Sequence, residues 1–308
     1  MDTATLIKNL ERPSSKIDMI LDTDTYNEID DQFAIAYMLA NRDKLNVKAI
    51  YAAPFHNDKS SGPKDGMEKS YDEIKKVLAL IDNTNGIEVY KGSENYLKDE
   101  KTPEISPAAE HLVKLAEKYS ADSPLYVASI GAITNIASAI LLNPKITDNI
   151  VIIWLGGNSL HWHDMHEFNL SQDIAAARII FGCGVPLVQL PCMGVVSAFT
   201  FSEADLRQWL LGKNKICDYL ARNTIEEASS YASGRPWTRV IWDVTAIAWL
   251  VNTDGRFFCE RLERSPIPEY DGHYGYDSRR HFIKYIYHVN RDALAEDLFN
   301  KLISLGNM

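Results

Sequence analysis

The chain has 308 residues, of which 46% are hydrophobic and 24% are charged, and its formal net charge is −10 at pH 7. This composition is typical of a globular protein, and no apolar run reaches the roughly eighteen residues that a membrane span needs. The acidic balance argues against a nucleic-acid-binding protein, because such proteins contact phosphates through a basic surface.

The amino-terminal segment MDTATLIKNLERPSSK lacks the basic start, the apolar region and the cleavage site of a secretory signal. We therefore expect a cytoplasmic protein. The cysteines are widely spaced and contain no CxxC pair, which suits reduced thiols better than a disulfide framework or a zinc knuckle. They are Cys183, Cys192, Cys217 and Cys259.

An apolar segment followed by a cluster of acids opens the predicted fold. Residues 17–21 are rich in β-branched side chains and do not alternate, which is typical of a strand buried on both faces of a parallel sheet. The acids that follow are Asp22, Asp24, Glu28, Asp30 and Asp31. Apolar residues recur at helical spacing from Ile29 to Ala40. The acids therefore lie in a predicted strand-to-helix turn at the carboxyl edge of the sheet, where open α/β folds bind ligands.

Carboxylates this close together repel one another unless a cation or hydrogen-bond donors balance their charge. A hard divalent cation, which prefers oxygen ligands, fits that requirement. The alternative interpretation is an acidic helix start, in which Asp30 and Asp31 are stabilised by the helix dipole. Helix capping does not account for Asp22 and Asp24 as well.

The rest of the chain alternates strands and helices up to about residue 190. Predicted strands cover 45–53, 87–90, 125–129, 151–155 and 185–190, and predicted helices cover 67–81, 106–119, part of 131–142, and 173–181. Such alternation predicts an α/β fold with a mainly parallel open sheet flanked by helices.

The carboxyl-terminal part is predicted to be mainly helical. Helical pattern runs from Ser202 to about Ala232, and WDVTAIAWLV forms a further buried helix. Residues 261–267 and 281–289 are predicted to pair as a small antiparallel element. We expect a single domain over residues 1–308.

Five separated motifs resemble those of one enzyme family. They are DTDTYNEIDD, SIGAITNIA, WLGGN, HEFNLSQDIAAA and WDVTAIAWL. Their order and spacing are similar to those of nucleoside hydrolases, in the inosine-uridine-preferring nucleoside hydrolase superfamily, from about residue 17 to residue 250. The resemblance implies the nucleoside-hydrolase fold, and hydrolysis of the N-glycosidic bond of ribonucleosides to free base and ribose at a calcium site.

The resemblance also implies the ligands of the calcium ion. These are Asp24, Asp31, Asp243 and the backbone carbonyl of Thr134, with Asp22 in a supporting position. Asp24 is our candidate for the general base that takes a proton from the attacking water. The first motif differs from the family's usual DxDPGxDD, since it has two extra residues between Asp24 and Asp30.

The substrate-binding residues follow from the same motifs. The ribose is expected to contact Asp30, Asn158, Glu167 and Asn169. Trp242 stands where purine-preferring members have tryptophan and the pyrimidine-tolerant branch has histidine. The resemblance therefore points to purine salvage, with the leaving base activated by stacking on Trp242, and Trp162 or Tyr231 as a second stacking partner.

The loop sequence HWHDMHE contains His161, His163 and His166. A zinc site is one interpretation, because imidazoles bind zinc, but the spacing is not HExxH. A proton donor to the leaving base fits better, with His163 or His166 as the candidate. Ordinary loop histidines are the simplest interpretation.

Purely structural roles stay open for several of these residues. Trp242 could be a core tryptophan, Asp243 could cap its helix, and Glu167 and Asn169 could be solvated loop residues.

Two other functions also stay open. DTDTY resembles the opening of haloacid-dehalogenase-type phosphatases, in which Asp22 would accept the phosphoryl group. A non-catalytic nucleoside- or ribose-binding protein is the second. For the hydrolase, the expected partners are a small-molecule ribonucleoside and a second copy of the chain, as a homodimer or homotetramer, with no nucleic acid and no membrane.

Overall fold

The computed structural model describes residues 1–307 of the chain. The strands are β1 Ile17–Thr23, β2 Leu45–Ala52, β3 Glu88–Lys91, β4 Leu125–Ser129, β5 Ile150–Leu155, β6 Leu187–Leu190, β7 Thr200–Ser202, β8 Thr238–Val240, β9 Phe258–Arg264, β10 Ile267–Pro268, β11 Tyr274–Gly275 and β12 Phe282–Val289. The helices are α1 Thr3–Asn9, α2 Asp30–Ala40, α3 Pro63–Ala79, α4 Pro107–Ala116, α5 Thr134–Leu142, α6 Phe168–Gln172, α7 Ile174–Gly182, α8 Glu203–Trp209, α9 Lys215–Ala232, α10 Val244–Val251 and α11 Arg291–Ser304.

Eight strands form one sheet in the order β3-β2-β1-β4-β5-β6-β12-β9. Adjacent strands are parallel from β3 to β12, and β9 runs antiparallel along β12. Two short antiparallel pairs, β7 with β8 and β10 with β11, lie outside this sheet. The predicted α/β fold with a mainly parallel open sheet is confirmed.

Both faces of the sheet are covered by hydrophobic clusters. Adjacent residues of β4 point to opposite sides, so that Val127 lies in one cluster and Ala128 in the other. This burial on both faces explains why the central strands are continuously apolar rather than alternating. Because both clusters pack on the same sheet, the arrangement supports the single domain that we propose for residues 1–308.

Several predicted boundaries were displaced. The predicted antiparallel pairing of residues 261–267 with 281–289 is confirmed as β9 with β12. However, β9 starts three residues earlier than predicted, and the pair forms one edge of the main sheet. The helical stretch after Ser202 is two helices, α8 and α9. Ser202 and Asp205 form a capping box that starts α8.

The topology explains where a ligand site can form. β2 and β4 lie on opposite sides of β1, so the chain connections reverse direction at this point of the sheet. In open α/β sheets such a switch point leaves a crevice beyond the carboxyl ends of the strands. The turn of residues 24–29 leaves β1 there, and Gly131 follows β4. No helix within residues 1–307 is long and apolar enough to cross a membrane.

Candidate active site

A cavity of about 450 Å³ lies at this carboxyl edge. Its walls come from the turn after β1, from the loop before α6 with the start of that helix, and from the residues just before α10. The lining residues are Asp24, Asn27, Glu28, Asp30, Asp31, Leu155, Asn158, residues 166–169, Trp242 and Asp243, together with Asn57, Ile130, Cys192 and Met193. The sequence-predicted site residues that line it are Asp24, Asp30, Asp31, Asn158, His166, Glu167, Asn169, Trp242 and Asp243. The fold thus brings together side chains that are up to 219 positions apart, from Asp24 to Asp243.

Three carboxylates at the floor of the cavity are close enough to share one ion. Asp30, Asp31 and Asp243 each offer an oxygen atom, and these atoms lie within 4.8 Å of one another. Asp30 and Asp31 begin α2, whereas Asp243 directly precedes α10, and the two helices pack together. Asp243 makes no capping hydrogen bond with its side chain, so the interpretation of this residue as a helix cap is wrong.

The acids of the cavity are buried and incompletely hydrogen-bonded. Within residues 1–307, Oδ2 of Asp24 and Oδ1 of Asp30 are buried without a hydrogen-bond partner. Burial raises the pKa of Asp30 to about 7, and burial with neighbouring carboxylates raises the pKa values of Asp24, Asp31 and Asp243 well above the usual range. Buried oxygen atoms that lack donors are the ligands that a hard divalent cation requires, so these residues fit such an ion.

Asp22 lies behind the cavity and does not line it. The side chain is fully buried, and it accepts hydrogen bonds from Nδ2 of Asn135 at 2.8 Å and from Oγ of Ser129 at 3.1 Å. Burial raises the pKa of Asp22 to about 7. These bonds tie β1 to β4 and α5, which suits a supporting role. They leave no open position for a phosphoryl group on Asp22.

Glu167 fixes the loop that forms one wall. As the N-cap of α6, Glu167 accepts hydrogen bonds from the backbone amides of Asn169 at 2.9 Å and Leu170 at 3.0 Å. It also accepts one from the amide of Gly157 at 2.8 Å. The Glu167 carboxylate is therefore committed to backbone groups, and the residue is not a solvated loop residue.

Asn158 and Asn169 differ in which of their side-chain amide atoms remain available to bind a ligand. Asn158 donates to Oδ1 of Asp164 at 3.3 Å and accepts from the backbone amide of Met193 at 3.2 Å. The nitrogen and the oxygen of its side-chain amide are therefore both hydrogen-bonded within the protein. Asn169 donates through Nδ2 to the carbonyls of Ile130 and Leu155, both at 3.1 Å. Because the amide nitrogen is anchored in this way, Oδ1 of Asn169 is the end of the amide left for a ligand.

Trp242 belongs both to the wall of the cavity and to the edge of the core. The side chain is partly buried and packs against the hydrophobic cluster on one face of the sheet. It also lines the cavity, unlike Trp162 and Tyr231, whose side chains are 38% and 51% exposed. Trp242 is thus the stacking candidate that the structure places at the site.

The histidines of the loop separate in the structure. His166 lines the cavity, whereas His163 lies outside it with Nε2 3.0 Å from Oδ2 of Asp164 and a side chain 78% exposed. Within the described residues, His161, His163 and His166 do not gather their ring nitrogens into a metal-binding group. Thr134 begins α5, and its hydroxyl donates to Asp173 at 2.7 Å. The role of the Thr134 carbonyl stays a prediction.

Residues to which the sequence analysis assigned no role in the site complete it. Asn27, Asn57 and Cys192 line the cavity. Glu28 also lines it and pairs with Arg239, whose Nη2 lies 2.8 Å from the carboxylate. No local pattern in the sequence links Glu28 to Arg239, because the two residues are 211 positions apart.

Comparisons with known proteins agree with this geometry. The family model described as inosine-uridine preferring nucleoside hydrolase matches residues 19–291. The pyrimidine-specific ribonucleoside hydrolase RihA of Salmonella enteritidis PT4 is 26% identical over 191 residues, which are 59% of this chain and 58% of RihA. The match therefore spans less than two thirds of that relative's length.

Solved structures share the fold. A purine-preferring ribonucleoside hydrolase from Gardnerella vaginalis superposes with a TM-score of 0.75 at 20% identity, covering 94% of this chain and 99% of the other. The plant nucleoside hydrolase PpNRh1 superposes with a TM-score of 0.74 at 17% identity, covering 95% of this chain and 100% of the other.

Proposed function

Because the chain belongs to the inosine-uridine preferring nucleoside hydrolase family, we propose that it hydrolyses the N-glycosidic bond of ribonucleosides to a free base and ribose. The observation that carries this proposal is the convergence of Asp30, Asp31 and Asp243 with Trp242 around one cavity. Such a site offers what the reaction needs, namely an activated water, a grip on the sugar and a surface for the leaving base.

We propose that the resident ion is Ca²⁺. The carboxylates that approach one another are Asp30, Asp31 and Asp243, and the ligand set implied by the family motifs adds Asp24 and the Thr134 carbonyl. All of these are oxygen donors, which suits a hard cation with flexible coordination. When bound, the ion would balance the buried carboxylates and polarise a water molecule.

Asp24 is the proposed general base. The side chain is 1% exposed, and its Oδ2 has no partner within the described residues, so this oxygen is available to accept a proton from water. In the metal-free protein, burial together with neighbouring Asp31 and Asp30 raises the pKa of Asp24 well above its usual range. General-base assistance of this kind contributes about 10²–10⁴-fold to a rate.

Ribose selectivity is assigned to Asp30 and Asn169. Oδ1 of Asp30 lacks a partner, and Oδ1 of Asn169 is the end of that amide left by its anchored nitrogen. Both oxygens are acceptors for sugar hydroxyls. A 2′-deoxyribose would leave an acceptor unpaired, which enzymes exploit to reject substrates that lack a hydroxyl.

A purine preference is proposed from Trp242, because a larger aromatic base gains more from stacking on an indole. The similar proteins differ in the base preference that their names state, since RihA is called pyrimidine-specific and the Gardnerella vaginalis protein is called purine-preferring. His166, which lines the same cavity, is the proposed proton donor to the departing base. A purine-salvage role, a cytoplasmic location and a homodimer or homotetramer stay predictions.

The test is turnover with defined nucleosides. Purified protein is incubated with inosine, adenosine, guanosine, uridine or cytidine, in calcium or in EDTA, and free base and reducing sugar are measured. We expect equimolar base and sugar, loss of turnover in EDTA, and loss in Asp24→Ala but not in Asp72→Asn, which removes an exposed charge from α3. Binding without turnover would instead support a non-catalytic nucleoside-binding protein.

A further inference from the structure

The turn with two extra residues forms part of the cavity wall. It leaves β1 after Thr23 and returns at Asp30, and Asn27 and Glu28 both line the cavity. Asn27 is held by Nδ2 of Asn57, 2.6 Å from its side-chain oxygen, and by Nζ of Lys59, 2.8 Å from its carbonyl. The extra length therefore places two more side chains at the site in a fixed position.

Glu28 forms an ion pair with Arg239, a cation that lies next to the cavity. Arg239 in β8 has a side chain only 15% exposed, and its Nη2 lies 2.8 Å from Oε2 of Glu28 and 3.8 Å from Oε2 of Glu227. A buried guanidinium needs such partners, because an unpaired charge is costly to remove from water. Glu227 also holds Lys59, with 2.8 Å between Nζ and Oε1. Arg239 and Lys59 are therefore already paired with acids.

The cavity is consequently anionic. Six acidic residues line it, and none of its described lining residues is a lysine or an arginine. The acids are Asp24, Glu28, Asp30, Asp31, Glu167 and Asp243. A single divalent ion would balance only part of this charge. An uncharged ligand has no net charge for the carboxylates to repel, whereas the negative charge of a phosphate is repelled.

We propose that Glu28 is a specificity-determining residue, which keeps the site selective for uncharged nucleosides over their 5′-monophosphates by occupying Arg239. This inference rests on the proposed function and names the substrate class of that site. Arginine binds phosphate through two parallel N–H donors. The Glu28 carboxylate lies at ion-pair distance from this guanidinium, 2.8 Å from Nη2, and so balances the positive charge that a phosphate would otherwise contact. Removing the charge of Glu28 leaves the guanidinium free to contact a phosphate.

The experiment compares wild-type protein with Glu28→Gln, Arg239→Gln and the double variant. For each, kcat/KM and calorimetric affinity are measured with one nucleoside and its 5′-monophosphate in the same calcium buffer. We expect the monophosphate-to-nucleoside ratio to rise about tenfold or more in Glu28→Gln, and to return to the wild-type value in the double variant. Glu94→Gln is the matched control, because it breaks an exposed pair with Lys64 of similar length, 2.9 Å.

An unchanged ratio in a folded Glu28→Gln protein would overturn the inference, and so would an equal rise in the double variant. If Glu28→Gln does not fold, Glu28→Ser is measured in its place under the same criteria. Absence of turnover in wild-type protein would refute the proposed hydrolase. The calorimetric ratio would still decide the role of Glu28 in that case, so the two failures are distinguishable.

Discussion

The backbone amide of Trp242 donates a hydrogen bond to Oδ2 of Asp30, with 3.1 Å between nitrogen and oxygen. This bond joins the aromatic wall of the cavity to the acidic start of α2, across 212 positions of sequence. The donor is a main-chain group, so a substitution of the indole leaves the bond in place. Variants of Trp242 therefore test stacking on the base without releasing Asp30.

Replacement of Trp242 by alanine is expected to lower kcat/KM for inosine about two- to twelvefold, because aromatic pairs contribute roughly 0.5–1.5 kcal/mol. The loss for uridine should be smaller, since its ring offers less area for stacking. Trp242→Phe should keep most of the activity. The measurement is kcat/KM for both nucleosides, with Trp209→Ala as control, because Trp209 stacks on Phe299 and does not line the cavity. Equal losses for the two nucleosides would refute the stacking role.

Asp31→Asn is expected to have opposite effects with and without calcium. In EDTA the variant should be more stable than wild type, because it removes one of the mutually repelling buried carboxylates, while an amide oxygen can still accept the bond from Thr23. Calcium at a hundred times its Kd stabilises a protein by about 2.7 kcal/mol, and this gain should be lost in the variant.

Thermal unfolding in EDTA and in calcium measures both effects of Asp31→Asn. Asp72→Asn, on the exposed side of α3, serves as the control and should respond to calcium like wild type. A calcium response that survives in Asp31→Asn would remove this residue from the proposed ligand set.

The parts of the fold that the sequence predicted depend on local patterns. The apolar run from Ile17 and the helical spacing of apolar residues after Ile29 were enough to place the acidic turn. Both patterns depend only on residues that are close together in the sequence. Likewise, the helix predicted over residues 106–119 is α4, which Ser106 caps with its side chain directly before Pro107. The bounds of the edge strand β9 were predicted three residues too late, because its exposed, charged residues show little hydrophobic periodicity.

The parts that the sequence missed depend on tertiary contacts. The pairing of Glu28 with Arg239 joins residues 211 positions apart, and no local pattern specifies it. Glu167 was correctly placed at the cavity, but its carboxylate points to three backbone amides, an orientation that residue type does not reveal. Asp243 was linked to the acidic turn only through the family motif.

The stability of the metal-free protein should fall as the pH rises. The pKa values of Asp22 and Asp30 are raised to about 7 in the folded protein, against about 3.9 for an unfolded aspartate. A carboxyl group with a raised pKa favours the folded state below the unfolded pKa, and this contribution is lost as the pH rises through the folded value. The loss should therefore fall between about pH 4 and pH 7.

Calcium should oppose this loss, because the ion favours the ionised carboxylates. The difference in Tm between calcium and EDTA is thus expected to widen from pH 5 to pH 8. Comparing the two conditions at each pH cancels the titration of groups elsewhere in the chain. A difference that stays constant or narrows over this range would contradict the proposed carboxylate site.

The substitution Gly272→Ala tests the proposed role of His166 as proton donor. Gly272 has φ +87°, and a Cβ atom there would overlap the imidazole ring of His166. Gly184 is a matched control, because it has φ +82° but a Cβ atom there would meet nothing within 4 Å. Alanine at either position is expected to lower the free energy of unfolding by about 1–2 kcal/mol, because a residue with a Cβ atom is strained in the left-handed conformation. Only Gly272→Ala also displaces the ring that lines the cavity.

The two glycine variants should therefore lose similar stability, while kcat falls only in Gly272→Ala. A proton donor contributes about 10²–10⁴-fold, so a displaced ring should lower kcat by a large part of that factor, and His166→Ala should do the same. Combining Gly272→Ala with His166→Ala should lower kcat no further than His166→Ala alone. If Gly272→Ala keeps the kcat and pH profile of Gly184→Ala, His166 is not the proton donor, and aromatic stacking on Trp242 remains the means of activating the base.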